Sequence, residues 1–562
     1  MAKLPLRFIP VGHLFGDHEG AESLGLASVF GSGGSENVWI DKHARLSSIL
    51  GYSRKNSSAV TSNTGAAAMR LRGLWHYLNS TLSTPRIEIG IFDTGPAGLY
   101  YEWRQSTDGG ATWTFTTNFG DTYIGKIPSF AQLGTTLVAA FGVGSVQSFN
   151  GTTLVAASNA QLAAATIADG GAGSLLGTYR WKVVPRKSDG TRKFGSVWSA
   201  RTTLTNRKAT VTWTTDSDAS SYEVYRTTGS GEIAFLSGVV ASGTLTYTDD
   251  VSDIRIIANR MLAEYGEAPP TGVYFVFIHK ERVFYVRTDT YPRRAWYSDP
   301  GLPFSVHADS NFTDLTDAES FTDVAVGGWG NYEGMAVVFL ERSVWTISGT
   351  GASAGIYIDF IRRRSNARVG SVSIRTVASV PKGSRFFNAE GQLVEVLTNV
   401  LAYLTPYGDL RIFDGRHDTI VSHAKAETVA RLTYAAREKA FCIVDTPRSE
   451  ITWVFPADGD LEPSLAVTWN HKFGTMVDRP AWRYFAHALE VETSQDSSVV
   501  LAGEGRITTG GFCYSLWDGI TAPASAAITH RIATKSMYGL GSTFSKSGMS
   551  DAAMVQYQKR WR

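Results

Sequence analysis

TGVYFVFIHKERVFYVRTDTYPRRAWYSDPGLPF, residues 271–304, combines two alternating runs, a charged turn and an aromatic tail in one segment. Val273, Phe275 and Phe277 alternate with their neighbours, His279 to Arg282 forms a polar turn, and Val283, Tyr285 and Arg287 resume the period of two. That is the pattern of a β-hairpin. Trp296-Tyr297-Ser298 then carries the chain out of it. A two-stranded hairpin this aromatic cannot bury both faces alone, so it predicts more strands beside it and another sheet stacked against it.

The same grammar of strand, polar turn and aromatic-bearing strand recurs at 334–347, 400–413, 440–455 and 465–473, and RIEIGIF (86–92) and YYEWR (100–104) make another hairpin. AAAMRLRGLWHYLNS (66–80) fits neither a helical nor a strand period cleanly and stays open between a short helix and strands. Phe149-Asn150-Gly151, Phe413-Asp414-Gly415 and Trp517-Asp518-Gly519 each end a strand with aromatic, Asn or Asp, then Gly. This ending marks a tight turn that needs positive φ. The unequal spacing of these copies excludes a solenoid of fixed period and points to a radial array. The expected fold is all-β: an irregular β-propeller whose blades carry insertions.

One insertion stands apart. Within 173–252, YRWKVV, ATVTW, SYEVYR and TLTYTDD read as short strands at sandwich spacing. They look like pieces of an immunoglobulin or fibronectin III-like module, although YRWKVV precedes VTW where a fibronectin III domain places its equivalent later. Ala156 to Gly173, small and glycine-rich, reads as a linker. The expected organisation is an extended amino-terminal arm and first strand (1–52), propeller blades (53–172), the sandwich (173–252), further blades (253–525) and a carboxy-terminal docking segment (526–562).

Lys and Arg number 53 against 51 Asp and Glu in 562 residues, so no global field draws the protein to nucleic acid. Two cysteines, Cys442 and Cys513, are too few for a secreted disulfide scaffold and lack metal-ligand spacing. They read as reduced, buried residues. MAKLPLRFIPVGHLF does not have the layout of a secretory signal, and no stretch reaches the roughly 20 apolar residues of a membrane-spanning helix. The expected setting is cytoplasm-like and soluble.

Few motifs point to chemistry. Gly351-Ala352-Ser353-Ala354-Gly355 matches the nucleophile-elbow pattern, but alternating residues follow where a hydrolase needs a helix, and the hairpin reading prevails. His13 and His18 beside Asp17 and Glu19 lie in the polar arm without ligand periodicity, so no metal site is assigned. No pair of carboxylates has a spacing that nominates glycosidase chemistry, and no phosphate-cradling glycine motif occurs. Neither catalysis nor a cofactor is expected. Arg362, Arg363, Arg364 and Arg368 form the densest basic cluster, a candidate for contact with DNA in a channel or with a neighbouring subunit against the plainer reading of a solvated strand end. Gln558 to Arg562 mixes charge with Trp561, which suits docking as well as disorder.

Ser106-Thr107-Asp108-Gly109-Gly110-Ala111-Thr112-Trp113 matches the S-x-D-x-G-x-T-W turn, the Asp box, and resembles the turns of sialidase-type β-propellers. In it Ser106, Asp108, Gly110 and Trp113 serve structure, since the Asp caps the turn and the Trp packs beneath. A single copy makes a carbohydrate-binding or sialidase-like propeller the alternative reading. The order of parts as a whole resembles the tail hub, or nozzle, proteins of short-tailed bacteriophages over residues 30–520. The parts are the glycine-rich arm, the early aromatic-Asn-Gly strand end, YEVYRT, ERVFYVRTDTYPRRAWYSDPGLPF, VVFLERSVWTISGTG, GDLRIFDG and WVFPADG…LAVTWNHKFG. The resemblance implies a structural virion protein, assembled in the host cytoplasm as a homohexameric ring below the portal and adaptor. In this role it extends the tail tube through which double-stranded DNA passes at genome ejection.

Overall fold

The hairpin at 271–304 is built as its alternation requires. Phe275–His279 pairs antiparallel with Arg282–Val286, which pairs with Arg294–Asp299. Lys280 and Glu281 adopt positive φ (49° and 57°), the primed turn whose twist matches that of the flanking strands. The structure, a computed structural model, describes residues 38–40, 46–48 and 52–516 apart from short segments within that last range. His13, His18, Trp517-Asp518-Gly519 and the segment 526–562 lie outside the described residues.

Among the described residues the hairpin belongs to one of seven antiparallel sheets of four or five strands. In chain order these are blade 1 (70–118), blade 2 (129–156), blade 3 (275–314), blade 4 (325–364), blade 5 (378–420), blade 6 (441–478) and blade 7 (485–516). The first strand of each blade packs against the first strand, or its approach, in the next, and Phe485–Ser494 of blade 7 packs against Arg70–Leu78 of blade 1. The ring therefore closes. Tyr52–Arg54 supplies the fourth strand of blade 7 by pairing with Cys513–Leu516, so the amino-terminal part of the chain is stitched to the carboxy-terminal part. The described residues form an all-β, seven-bladed propeller.

Packing follows from the pleat. Each blade buries both faces, and seven apolar clusters fill the seven gaps between neighbours. Trp103, Trp453 and Trp469 are wholly buried in these seams, each contributing about 1.5–3 kcal/mol of transfer free energy. Near the axis side chains must shrink. A Cβ on Gly330, in the first strand of blade 4, would lie 1.6 Å from the Ile278 carbonyl oxygen of blade 3, so only glycine permits that approach.

The recurrent aromatic-Asn/Asp-Gly ending acquires a place in this scheme. Phe149 and Phe413 each end the third strand of a blade. Asn150 Oδ1 accepts from the backbone N–H groups of Thr152 and Thr153, and Asp414 Oδ1 from those of Arg416 and His417. Gly151 and Gly415 sit at φ 98° and 96°. The Asp box occupies the same turn of blade 1.

Three sequence expectations change. The open stretch 66–80 contains the innermost strand of blade 1, Arg70–Leu78, whose period is blurred because both of its faces are buried. The glycine-rich stretch read as a linker already belongs to the sandwich from Thr166: Thr166–Tyr179 pairs with Thr202–Thr212 through three register shifts that absorb its glycines. Blade 3 begins at Phe275, after the short helix Asp253–Ile256, rather than directly after residue 252. The sandwich has two three-stranded sheets around Trp181, Trp213 and Tyr222. Trp181–Arg186 pairs with Ser221–Thr227 in the sheet opposite Thr202–Thr212.

Candidate functional site

The approach to the first strand of each blade brings its residues to the axis, and here those residues are charged. Arg70 and Arg72, on the first strand of blade 1, donate through Nε to Asp93 at 2.6 and 2.9 Å. Asp93 is fully buried and also accepts from the backbone of Gly95 and Gly125. Burial alone would raise its pKa, but Arg72 and Arg70 outweigh that and hold the carboxyl below the usual range. Both arginines reach on to Glu462 of blade 6, which also takes Lys439 Nζ at 3.0 Å. Burial opposes the Arg72 charge, yet Asp93 and Glu462 together raise its pKa.

Three of these contacts skip a blade. Glu462 of blade 6 reaches blade 1, Arg437 before blade 6 pairs with Glu341 of blade 4 at 2.7 Å, and Arg375 before blade 5 donates from Nη2 to the Ala486 carbonyl of blade 7. Groups from non-neighbouring blades can touch only near the axis. Arg72, Ile127, Arg375, Lys439, Glu462, Pro463 and Ala486 line a small space of about 10 Å³ between these contacts. The propeller axis is therefore plugged at this level. Arg375 Nε is buried without a hydrogen-bond partner. Burial and the neighbouring Arg72 bring its pKa down to about 9.

The plug adjoins the closing seam. His487 of blade 7 accepts through Nδ1 from the Leu74 N–H of blade 1 at 2.9 Å. Burial, with Arg375 nearby, pushes its pKa well below 6.5. Burial takes His471 down to about 4 and also lowers His279. Each group binds its proton more readily in the unfolded chain, so the stability it confers is full above pH 6.5 and lost as pH falls toward the folded value. The denaturation free energy is expected to fall between pH 6.5 and 5 by up to about 1.4 kcal/mol per pH unit for each of these histidines. His487→Gln, which keeps an acceptor for Leu74, should remove one histidine's share of that slope; an unchanged slope would disprove the assignment.

The Asp box turns out as its residue types require. Asp108 Oδ1 accepts from the backbone of Ala111 and Thr112 and from Ser106 Oγ, Asp108 Oδ2 accepts from Thr112 Oγ1, and Gly110 N–H donates to Ser106 Oγ. Trp113 packs edge-on to Phe92 at 5.2 Å. Asp108→Ala is expected to cost about 1 kcal/mol by urea denaturation, the scale of an exposed side-chain cap. Beside the turn, Arg104, Thr112, Trp113 and Phe115 face Asn56, Ser57, Thr61 and Asn63 across an open cleft of about 740 Å³.

Arg362, Arg363 and Arg364 lie on Ile361–Arg364, the outermost strand of blade 4, far from the axis. Arg362 and Arg363 are exposed, and Arg364 pairs with Asp317 at 3.0 Å. Arg368 is exposed, and its N–H donates to Asp418. A row of arginines on an edge strand also discourages pairing with other strands. Ser353–Ala354 pairs with Tyr357–Ile358, a hairpin with no helix after it, so the elbow geometry is not formed. Cys442 and Cys513 are free thiols whose pKa burial raises to about 12. Among the described residues no group of three or more His, Cys, Asp or Glu is placed to hold a metal ion. No described helix is long and apolar enough to cross a membrane. The plug itself was not anticipated from sequence.

No protein-family model matches the chain, and comparison with curated proteins gives no match. Among solved structures, the computationally designed Ika8 protein is similar at 8% identity and TM-score 0.30, covering 82% of this chain and 100% of that one. YCF48 from Cyanidioschyzon merolae is similar at 8% identity and TM-score 0.24, covering 80% and 98%. An oligogalacturonate lyase in complex with manganese is similar at 10% identity and TM-score 0.23, covering 82% and 99%. At these scores none of the three bears on function, and the propeller assignment stands on the sheet order and ring closure above.

Proposed function

We propose that this chain is a structural subunit of the tail of a short-tailed bacteriophage. About six copies form a homo-oligomeric ring that joins the portal and adaptor to the distal tail and conducts double-stranded DNA during ejection. The observation that carries the reading is the combination of a ring-closed propeller with a fibronectin-like sandwich inserted between blades 2 and 3, the order of parts of the nozzle proteins it resembles. The plug fits this role. A space of about 10 Å³ on the axis passes no duplex, so the conduit runs between subunits and each propeller serves as a stiff wall segment. Near-balanced charge suits a tube that must not hold DNA tightly. In this reading exposed Arg362, Arg363 and Arg368 meet phosphates or an acidic face of the next subunit. No catalysis and no cofactor is assigned, and the site of action is the virion tail.

Mass photometry of the purified chain with its portal–adaptor complex tests this. A complex gaining about six copies supports the ring; a monomer that ignores the complex refutes it. The cleft beside the Asp box favours a second reading, a carbohydrate-binding propeller, because Phe115 and Trp113 border hydroxyl and amide groups there. Binding on a glycan array that Phe115→Ala abolishes would favour it.

A further inference from the structure

We propose that the outer face of the sandwich binds the phosphate backbone of a nucleic-acid duplex. The face belongs to the sheet of Trp181–Arg186, Ser221–Thr227 and Ala234–Ala241, whose other side packs on the sandwich core through Trp181, Val183, Tyr222 and Val224. Alternation therefore turns Lys182, Val184 and Arg186 outward, and with them Glu223 and Tyr225. Six cations meet two carboxylates there. The Glu223 side chain, only 1% exposed, is shared by Arg192 at 2.9 Å, Arg260 at 2.8 Å and Arg186 at 3.8 Å. Glu232, at the rim, is shared by Arg180 and Arg201. Arg180 and Lys182 lie over the Trp198 ring, 5.2 and 5.4 Å from its centre. Lys187 and Asp189, between Arg186 and Arg192 in sequence, cancel in charge.

The excess of positive charge is local. One buried carboxylate cannot neutralise three guanidiniums, so the face keeps a positive potential although the whole chain is nearly balanced. The opposite sheet has no such excess: Arg207 pairs with Asp169, and Lys208 acts on Asp250. The side chains of Arg180, Arg186, Arg201 and Arg260 are between 31% and 55% exposed, while Lys182 and Arg192 lie deeper and add to the field. Arg180 to Arg186 spans about 20 Å along the strand, at about 3.3 Å per residue. A row of that length suits an extended polyanion and not one small anion.

Two features select a duplex. A protein partner calls for an apolar centre, but the apolar groups in the middle of this face, Val184, Tyr225, Leu236 and Trp198, are buried or half-buried, and exposed Val239 stands on its edge strand. A single strand calls for aromatic faces open to base stacking, but Trp198 lies under two cations. What the face offers is guanidinium N–H groups, which suit phosphate oxygens and read no base sequence.

The test titrates the full chain into a fluorescein-labelled duplex of about 30 base pairs, a length chosen to exceed the row, and follows anisotropy as sodium chloride is raised. Binding is expected for any duplex sequence, with a slope of about −3 in log K against log salt, the value for three to four neutralised phosphates. Arg186→Gln with Arg260→Gln should weaken binding about tenfold and reduce the slope by about two, and the same change at Arg362 and Arg363 should leave both unaltered. If the first double variant does not fold, a photo-cross-linking residue at Val239 in the otherwise unaltered chain decides: attachment to the duplex is expected. No binding at low salt, a loss that follows Arg362 and Arg363 instead, or tighter binding of poly-glutamate than of the duplex would overturn the proposal. A chain that binds duplex here yet ignores the portal–adaptor complex keeps this property and loses the role proposed above.

Discussion

Removal of residues 1–55 is expected to be the most damaging single change to this fold, lowering its stability by about 5 kcal/mol or abolishing soluble expression. Tyr52, Ser53 and Arg54 pair with Leu516, Ser515 and Tyr514, and the Lys55 N–H donates to the Cys513 carbonyl at 2.8 Å. The Arg54 guanidinium lies 3.7 Å from the centre of the Phe512 ring. Without this strand blade 7 has three strands and an exposed edge, and nothing covalent holds it beside blade 1. Each lost backbone bond contributes about 1 kcal/mol net, and an unpaired edge also invites association between copies.

Asn56 offers a graded version of the same experiment. Its side chain accepts from the Cys513 N–H at 2.7 Å and donates to the Gly511 carbonyl at 2.9 Å, both buried. Asn56→Ala should cost about 1–3 kcal/mol by leaving those groups unpaired. Chemical denaturation followed by tryptophan fluorescence measures both variants. A truncated chain with an unchanged midpoint would mean that the propeller closes without its amino-terminal strand.

This closure shows where the sequence could be read and where it could not. The hairpin at 271–304 was legible because alternation and turn chemistry are local, and Val283, Phe284, Tyr285 and Val286 are all buried as a strand covered on both faces requires. The aromatic-Asn/Asp-Gly ending was legible as a turn, and its place at the end of the third strand emerges only once the blades are aligned. The pairing of Tyr52 with Leu516 spans nearly the whole chain, and no local pattern announces it. The start of the sandwich was missed for a different reason: TIADGGAGSLLGTY has the composition of a linker, and only pairing along Thr202–Thr212 makes it a strand. The plug was invisible because its six charges come from five separate places in the chain, at 70 and 72, 93, 375, 439 and 462, and converge only through ring closure.

Asp93 is the keystone of that convergence, and Asp93→Asn is expected to cost about 3–5 kcal/mol. The replacement is nearly isosteric, so the loss is electrostatic: Arg70 and Arg72, only 7% and 3% exposed, would keep a single carboxylate, Glu462, at 28% exposure. The amide would also turn a donor toward one of the groups that Asp93 now accepts from, the Arg70 and Arg72 Nε and the Gly95 and Gly125 N–H. Urea denaturation at pH 7 measures the effect. The pH dependence supplies an independent check. Because the folded pKa of Asp93 lies below its unfolded value, its contribution is complete above the usual carboxylate range and is lost as pH falls through the folded value. The Asn variant should therefore show a shallower acid limb than the parent. Removing the charges together separates necessity from habit: Arg70→Met, Arg72→Met and Asp93→Leu combined should recover much of the loss, since an apolar set of similar volume escapes the desolvation cost of the ions. If Asp93→Asn alone changes stability by less than about 1 kcal/mol, water must reach the cluster and screen it, and the axis would be open to solvent instead of sealed.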